Sequence, residues 1–501
     1  MPTEMKDMVV ILPGIMGSVL QKDGKDLWNI SGQAIWQVVK SLGKRLDDLK
    51  LEGDDREGGD LGDGVIPTGL IKDSYLFPGL AKVDGYNRTA KLIADNFNVI
   101  KGDIYKDPED RAANFYEFPY DWRRDNRANA HILKRLLDIR LSAWREKSGN
   151  SNARLILLAH SMGGLISRYY LEVLGGWQDA RALFTFGTPY RGSVNAVKML
   201  ALGRKVYGVD LIEVLGMREI LNSLTSIYQL LPIYSVLQVD GSSKRIAEVD
   251  GLPNIDRQRA EQALVFHREI EAAVKDRDRD TYATVPFVGV QQPTLQSAEF
   301  KQGKLIVSRE LPLIMQNRNL DSLADGDGTV PQISAFPIEF SDRDILEIPG
   351  FIAESHGSLQ NHPGILLNLL NKLQISQASD GTLEDIRGRG TEKSRSIKAG
   401  RKGISVQVED LYPAREPIII GAKTNPEDEN YGTVRGQIEC ITDRRPDLTV
   451  GFTKQVGEWS TPSEALNLEP GLYRLKVMTE QTGTDAPNPV TNLFEVARLD
   501  I

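Results

Sequence analysis

Short apolar runs alternate with amphipathic stretches from the N-terminus to about residue 375. Met8–Leu12, Arg154–Ala159, Ala182–Phe186 and Val285–Val290 are apolar runs of strand length, the pattern of buried strands. Asn126–Lys147 spaces Ala130, Leu133, Leu136, Leu137, Ile139 and Leu141 among charges and predicts a helix. Met162–Leu174 and Asn361–Leu373 predict two more. Strand–helix alternation of this kind implies a parallel sheet with helices on its faces.

Between these elements the pattern changes twice. Residues 44–65 are rich in Gly and Asp and predict a surface loop. Residues 194–237 are helical in pattern and unusually apolar, ending in Ile227-Tyr228-Gln229-Leu230-Leu231-Pro232. They predict an inserted cap that extends to about residue 280, where 256–280 carries charges of both signs and fits a solvated helix. The apolar stretch Val209–Leu237 fits either the lining of an apolar groove or plain core.

Beyond Leu373 the helical period disappears. Residues 376–402 are rich in Gly, Ser, Arg and Lys and predict a linker. Ile404–Val408, Pro417–Gly421, Thr433–Ile441 and Leu472–Val477 follow as short strand-like runs between turn residues, the pattern of a small all-β sandwich over 403–501. The expected architecture is an α/β domain over 1–375 with a helical cap at about 194–280, a linker, and the sandwich.

Composition narrows the function classes. With 41% hydrophobic and 26% charged residues in 501, the chain is not a mostly disordered one. A net charge of −8 argues against nucleic-acid binding through general basicity. The single cysteine, Cys440, allows no intrachain disulfide and no Cys-rich zinc site, which fits a reducing compartment. No 18-residue apolar run is present, and the first residues lack the pattern of a signal peptide, so the expected location is cytoplasmic. No metal or cofactor is expected.

The chemistry concentrates at Leu157-Leu158-Ala159-His160-Ser161-Met162-Gly163-Gly164-Leu165. An apolar strand runs into Ser161 and an amphipathic helix leaves it. Small residues two before and two after a serine, here Ala159 and Gly163, permit the sharp turn that lifts its Oγ above a sheet. The N–H of Met162, at the helix start, then faces a developing oxyanion. A neutral serine needs a base and an orienting carboxylate, which in this arrangement follow in the order acid, then histidine. Asp327, in Gly326-Asp327-Gly328-Thr329-Val330-Pro331, is the candidate acid, with Asp325 as rival. Of the five histidines, His356 lies in a loop after an apparent strand and is the candidate base. His362 opens a helix and suits a capping or exposed role. His160 must point away from Ser161 Oγ, and His131 and His267 sit on helices. The second oxyanion donor should come from the loop Pro13-Gly14-Ile15-Met16-Gly17-Ser18 after the first strand, with Ile15 N–H preferred over Met16.

Taken together, Pro13–Ser18, Phe118-Pro119-Tyr120-Asp121-Trp122-Arg123, Ala159–Gly164, Thr185-Phe186-Gly187-Thr188-Pro189, Gly326–Val330 and Glu354-Ser355-His356 resemble the lecithin:cholesterol acyltransferase family, which includes lysosomal phospholipase A2 and phospholipid:diacylglycerol acyltransferases. The resemblance covers about residues 8–375. It implies an α/β-hydrolase with a helical cap and acyl transfer from a lipid ester through an acyl-serine. It makes Ser161 the nucleophile, Asp327 and His356 its partners, and Ile15 and Met162 the oxyanion donors. Asp121, Trp122 and Arg123 are expected to be mainly structural. Peripheral contact with a membrane surface stays open, as does the partner of the sandwich. Two other readings share the residues: a non-lipid serine esterase or peptidase, and a binding or scaffold protein in which the sandwich carries the main role.

Overall fold

The computed structural model describes residues 2–498 except 31–42, 78–80, 204, 207–208, 215, 277–280, 318–322, 341–349, 380, 389–401, 427–428, 444, 456, 463–465, 482 and 484–485. Six strands form its central sheet: β1 Met8–Leu12, β2 Phe115–Glu117, β3 Leu155–His160, β4 Ala180–Phe186, β5 Ala283–Val290 and β6 Phe351–Ala353. Their spatial order is β6-β5-β4-β3-β1-β2, and every neighbouring pair is parallel. All residues of β1 and β3 are buried, as a parallel sheet covered on both faces demands.

Helices supply the cover: α1 Asn87–Asn96, α2 Asn126–Ser148, α3 Met162–Arg168, α4 Val194–Leu202, α5 Arg257–Lys275 and α6 Pro363–Gln377. Helix α2 shows why the sequence folds so. The Asp125 carboxylate caps its start by accepting from Arg127 N–H, and Gly149 ends it at φ 70°. Leu133, Leu137, Leu141 and Trp144 make its buried stripe, and each leucine so buried contributes about 1.5–3 kcal/mol. The helix expected over Met162–Leu174 is α-helical to Arg168 and then widens into a π-helical turn, Tyr169–Val173.

The 194–280 segment is less helical than expected. After α4 come only short helices, Leu211–Val214, Arg218–Ser223 and Thr225–Tyr228, before the long α5. Gly203, Gly216 and Pro232 interrupt the helical pattern there. Leu221, Leu224, Ile227, Tyr228, Leu230 and Leu231 are buried in the main core. The Gly/Asp-rich loop is also anchored rather than free. Asp54 bonds Arg124 Nε at 2.8 Å, Asp63 bonds Arg123 at 2.8 Å, and Arg124 donates to the Gly59 and Asp55 carbonyls.

The segment expected as a linker opens with the end of α6 and a five-residue helix, Leu383–Arg387, that caps itself through Thr382 and Asp385. Residues 389–401 lie outside the described residues. Beyond them, two sheets face each other around their own core, which includes Ile404, Ile420, Val434, Leu475, Val477 and Phe494. Strand Val434–Cys440 alternates buried and exposed along its whole length, the period-two signature of a sheet with one wet face. Ile404 C=O and Val406 N–H, on strand Gly403–Gln407, bond the side-chain amide of Gln292 at 2.8 and 3.1 Å. Strand Val490–Ala497 reaches Glu354 and Ser355. The sandwich thus packs directly against the loops that follow β5 and β6.

Candidate active site

The chain passes from β1 to β2 on one side and then places β3 on the other side of β1. The carboxyl ends of β1 and β3 therefore flank a reversal of strand order, where α/β sheets open a crevice. Ser161 follows β3 there, and Pro13–Ser18 follows β1.

Ser161 adopts φ 50°, ψ −124°, a conformation that costs about 1–3 kcal/mol for a residue with a Cβ. Its own peptide groups hold it there. Ser161 N–H donates to Phe186 C=O at 2.9 Å, and its carbonyl accepts from Gly164 N–H and Thr188 Oγ1, both at 3.0 Å. Gly163 must lack a side chain, because a Cβ would lie 2.4 Å from Pro13 O.

His356 and Asp327 converge on this serine. His356 Nε2 lies 3.0 Å from Ser161 Oγ, and Nδ1 lies 2.7 Å from Asp327 Oδ2. All three side chains belong to buried residues. Asp327 Oδ1 accepts from the N–H groups of Thr329 and Val330 at 2.9 and 2.7 Å, so both carboxylate oxygens are engaged. His356 N–H donates to Asp327 C=O at 2.8 Å, which locks the two loops together. Gly187 (φ 59°) lets the pair sit close, since a Cβ would come within 2.9 Å of His356 Nδ1 and 2.8 Å of Asp327 Oδ2. Asp325 faces elsewhere, accepting from Gln291 N–H at 3.0 Å.

The other histidines have separate partners. His160 Nε2 lies 3.1 Å from His356 C=O, an acceptor only, so Nε2 carries the proton. Burial pushes its pKa down to about 3, and the ring stays neutral. His267 Nε2 bonds Gln229 C=O at 2.8 Å, and burial lowers it to about 4. His362 caps α6 by accepting from Gly364 N–H at 3.1 Å, and it is buried. His131 packs against Tyr169.

At the start of α3, Met162 N–H has no partner inside the helix. Across from it, the turn after β1 is closed by Gly17 N–H donating to Gly14 C=O at 3.1 Å, with Met16 at φ 60°. Asp121 and Arg123 form a buried bidentate pair, Trp122 Nε1 donates to Ser18 C=O at 3.2 Å, and Tyr120 Oη donates to Pro13 C=O at 2.9 Å. The Tyr-Asp-Trp-Arg run is thus the scaffold behind this turn.

His356 and Asp327 also line a cavity of about 230 Å³. Lys82, Lys198 and Arg309 line it from the α/β part, and Val406, Asp410 and Leu493 from the sandwich. Among the described residues, no group of three or more His, Cys, Asp or Glu side chains could hold a metal, and no helix is long and apolar enough to cross a membrane.

Sequence reasoning missed two supports. Gln292 pairs its backbone with the Asp327 loop and its side chain with the sandwich. Gln291-Gln292 directly after an apolar strand was the available signal. Glu354 is the second, with Oε1 accepting from Ser355 and Thr491 N–H at 2.8 and 2.9 Å. Burial raises its pKa to about 8.

The parallel sheet, the strained serine turn after β3 and the loops after β5 and β6 define an α/β-hydrolase fold. Residues 109–283 match the family model described as lecithin:cholesterol acyltransferase. That segment holds the Tyr-Asp-Trp-Arg run, the serine turn and Thr185–Pro189, so the resemblance seen in the sequence is borne out there. No curated protein sequence matches the chain. Two solved structures of the Bacillus licheniformis lipase BlEst2 align with it. The mature form has 12% identity and a TM-score of 0.31, covering 75% of this chain and 94% of that one. The propeptide form has 10% identity and a TM-score of 0.32, covering 99% and 95%.

Proposed function

We propose that this chain is a serine-dependent enzyme of lipid esters, a lipase, phospholipase or O-acyltransferase working through an acyl-serine. The observation that carries this reading is the continuous hydrogen-bonded line Ser161 Oγ, His356, Asp327, at 3.0 and 2.7 Å. His356 Nε2 takes the Ser161 proton as Oγ attacks the ester carbonyl, and Asp327 stabilises the imidazolium and fixes its tautomer. The N–H groups of Ile15 and Met162 receive the oxyanion of the tetrahedral intermediate. His356 then returns the proton to the leaving alcohol or lysolipid. Water or an acceptor hydroxyl, deprotonated by His356, attacks the acyl-serine and frees Ser161.

The match to the lecithin:cholesterol acyltransferase family over residues 109–283 favours a lipid ester. We also propose 1–375 as the catalytic unit, with the segment from 194 to about 280 as its cap and 403–501 as a separate sandwich.

Purified protein incubated with mixed phospholipid vesicles, with and without a long-chain alcohol, tests the reading by product analysis. Free fatty acid in both samples identifies a hydrolase, and a new ester with alcohol identifies a transferase. Ser161→Ala should release neither. Products formed by Ser161→Ala at the wild-type rate would remove the proposal.

A further inference from the structure

Four aromatic side chains bond the backbone of the turn that carries Ile15. The Pro13–Gly14 peptide is held at both ends: Pro13 C=O accepts from Tyr120 Oη at 2.9 Å, and Gly14 N–H donates to Tyr86 Oη at 2.8 Å. Further along, Ile15 C=O accepts from Tyr75 Oη at 3.2 Å and Met16 C=O from Trp28 Nε1 at 3.2 Å. All four rings are buried. The carbonyls of this turn are thereby occupied, and the peptide that bears Ile15 N–H lies between two planes that cannot rotate freely.

Tyr86 differs from the other three because it also touches the rest of the site. Its hydroxyl lies 3.1 Å from His160 Nδ1. Since His160 Nε2 donates to His356 C=O, Nδ1 is the acceptor and Tyr86 is the donor. One hydroxyl therefore accepts from the turn after β1 and donates to the residue beside the nucleophile. Through His160 it reaches the backbone of the base. Tyr86 is itself set by the segment after His356. Asp84 N–H donates to Gly357 C=O at 2.8 Å, while Gln360 and Asn361 donate to Gly85 C=O at 2.9 and 3.1 Å.

We infer that Tyr86 is the positioning residue of the oxyanion site, using His160 as a neutral relay to hold the Gly14–Ile15 turn in register with Ser161 and His356. This rests on the reading of Ile15 N–H as an oxyanion donor. A preorganised donor stabilises developing charge without having to reorient during the reaction. Loss of the Tyr86 hydroxyl leaves Gly14 N–H and His160 Nδ1 without a partner and frees the turn to tilt.

Tyr86→Phe keeps the ring and removes only the hydroxyl. The measurement is kcat and KM on a matched pair of substrates, a medium-chain oxoester and its thionoester, whose sulfur accepts hydrogen bonds poorly. The expected result is a fall in kcat on the oxoester of about 10- to 100-fold, KM within about twofold, and a narrowed oxoester-to-thionoester ratio. A packing role alone would lower both substrates equally and leave the ratio unchanged. His160→Gln, a second variant in the same relay, should narrow the ratio by a smaller factor and serves if Tyr86→Phe does not fold. An unchanged ratio in whichever of the two variants folds overturns the inference. Ester turnover by Ser161→Ala would instead overturn the reading beneath it.

Discussion

The Ser161 turn and the His356 loop meet at 3.0 Å, yet they are built differently. Ser161 owes its pose to contiguous residues and the next strand: His160, Gly163, Gly164, and the Phe186–Thr188 segment it bonds. His356 owes its pose to remote chain. Asp327 fixes its ring, Gly357 beside it bonds Asp84, and Glu354 and Ser355 before it bond Thr491 of the sandwich. The first is a local motif with a strained backbone. The second is a nonlocal clamp that draws on three regions of the chain. Strain in the one and long reach in the other should fail in different ways when perturbed.

Removing the chemistry itself gives the largest effect. His356→Ala should lower kcat by about 10⁴-fold or more, because nucleophile and base act as a unit, and ester hydrolysis by purified variants checks it. Asp327→Asn should cost roughly 10³- to 10⁴-fold through the wrong tautomer while the protein stays folded. Asp325→Asn should change kcat by less than about threefold, since that carboxylate faces Gln291 and not His356. Equal losses for the two would erase the distinction drawn between them.

A weaker probe acts on the clamp. Gln292→Ala leaves Ile404 C=O and Val406 N–H without their side-chain partner and should destabilise the protein by about 1–3 kcal/mol, read by chemical denaturation. Its kcat should fall much less than that of Asp327→Asn. The smallest effect is one of pH. Burial raises Glu354 to about 8, so the folded state holds its proton more tightly than the unfolded one. That stability is fully present below the ordinary carboxylate range, and it declines as pH rises towards about 8, by at most about 1.4 kcal/mol per pH unit. Glu354→Gln keeps the acceptor oxygen and removes the titration. Its melting temperature should equal or trail that of wild type at pH 4 and exceed it at pH 9. A constant difference across pH would show that Glu354 does not titrate in this window.

The same contrast explains what could be read from the chain beforehand. Strand Met8–Leu12 and the Ser161 turn were legible because each is a short pattern with a physical meaning of its own, whereas Asp327 and His356 were candidates only through the order acid, then histidine, that the serine turn sets. The rival Asp325 was separable only in three dimensions, being two residues away in the same Gly-rich loop. Strand Phe115–Glu117 is three residues long and shows no period. Tyr75, Tyr86, Gln292 and Glu354 gave little sign, because their roles depend on partners far along the chain. Residues 194–237 were legible as apolar and helical in pattern but not in their breaks: Gly203, Gly216 and Pro232 divide the segment into short helices, and side chains such as Leu221 and Ile227 join the main core.

Labelling by a fluorophosphonate, with the modified residue located by peptide mass, tests the central claim most directly. The account predicts one adduct on Ser161 in the wild-type protein and a labelling rate at least about 10³-fold lower in His356→Ala. An adduct on another residue, or labelling of Ser161 at the same rate without His356, would contradict it.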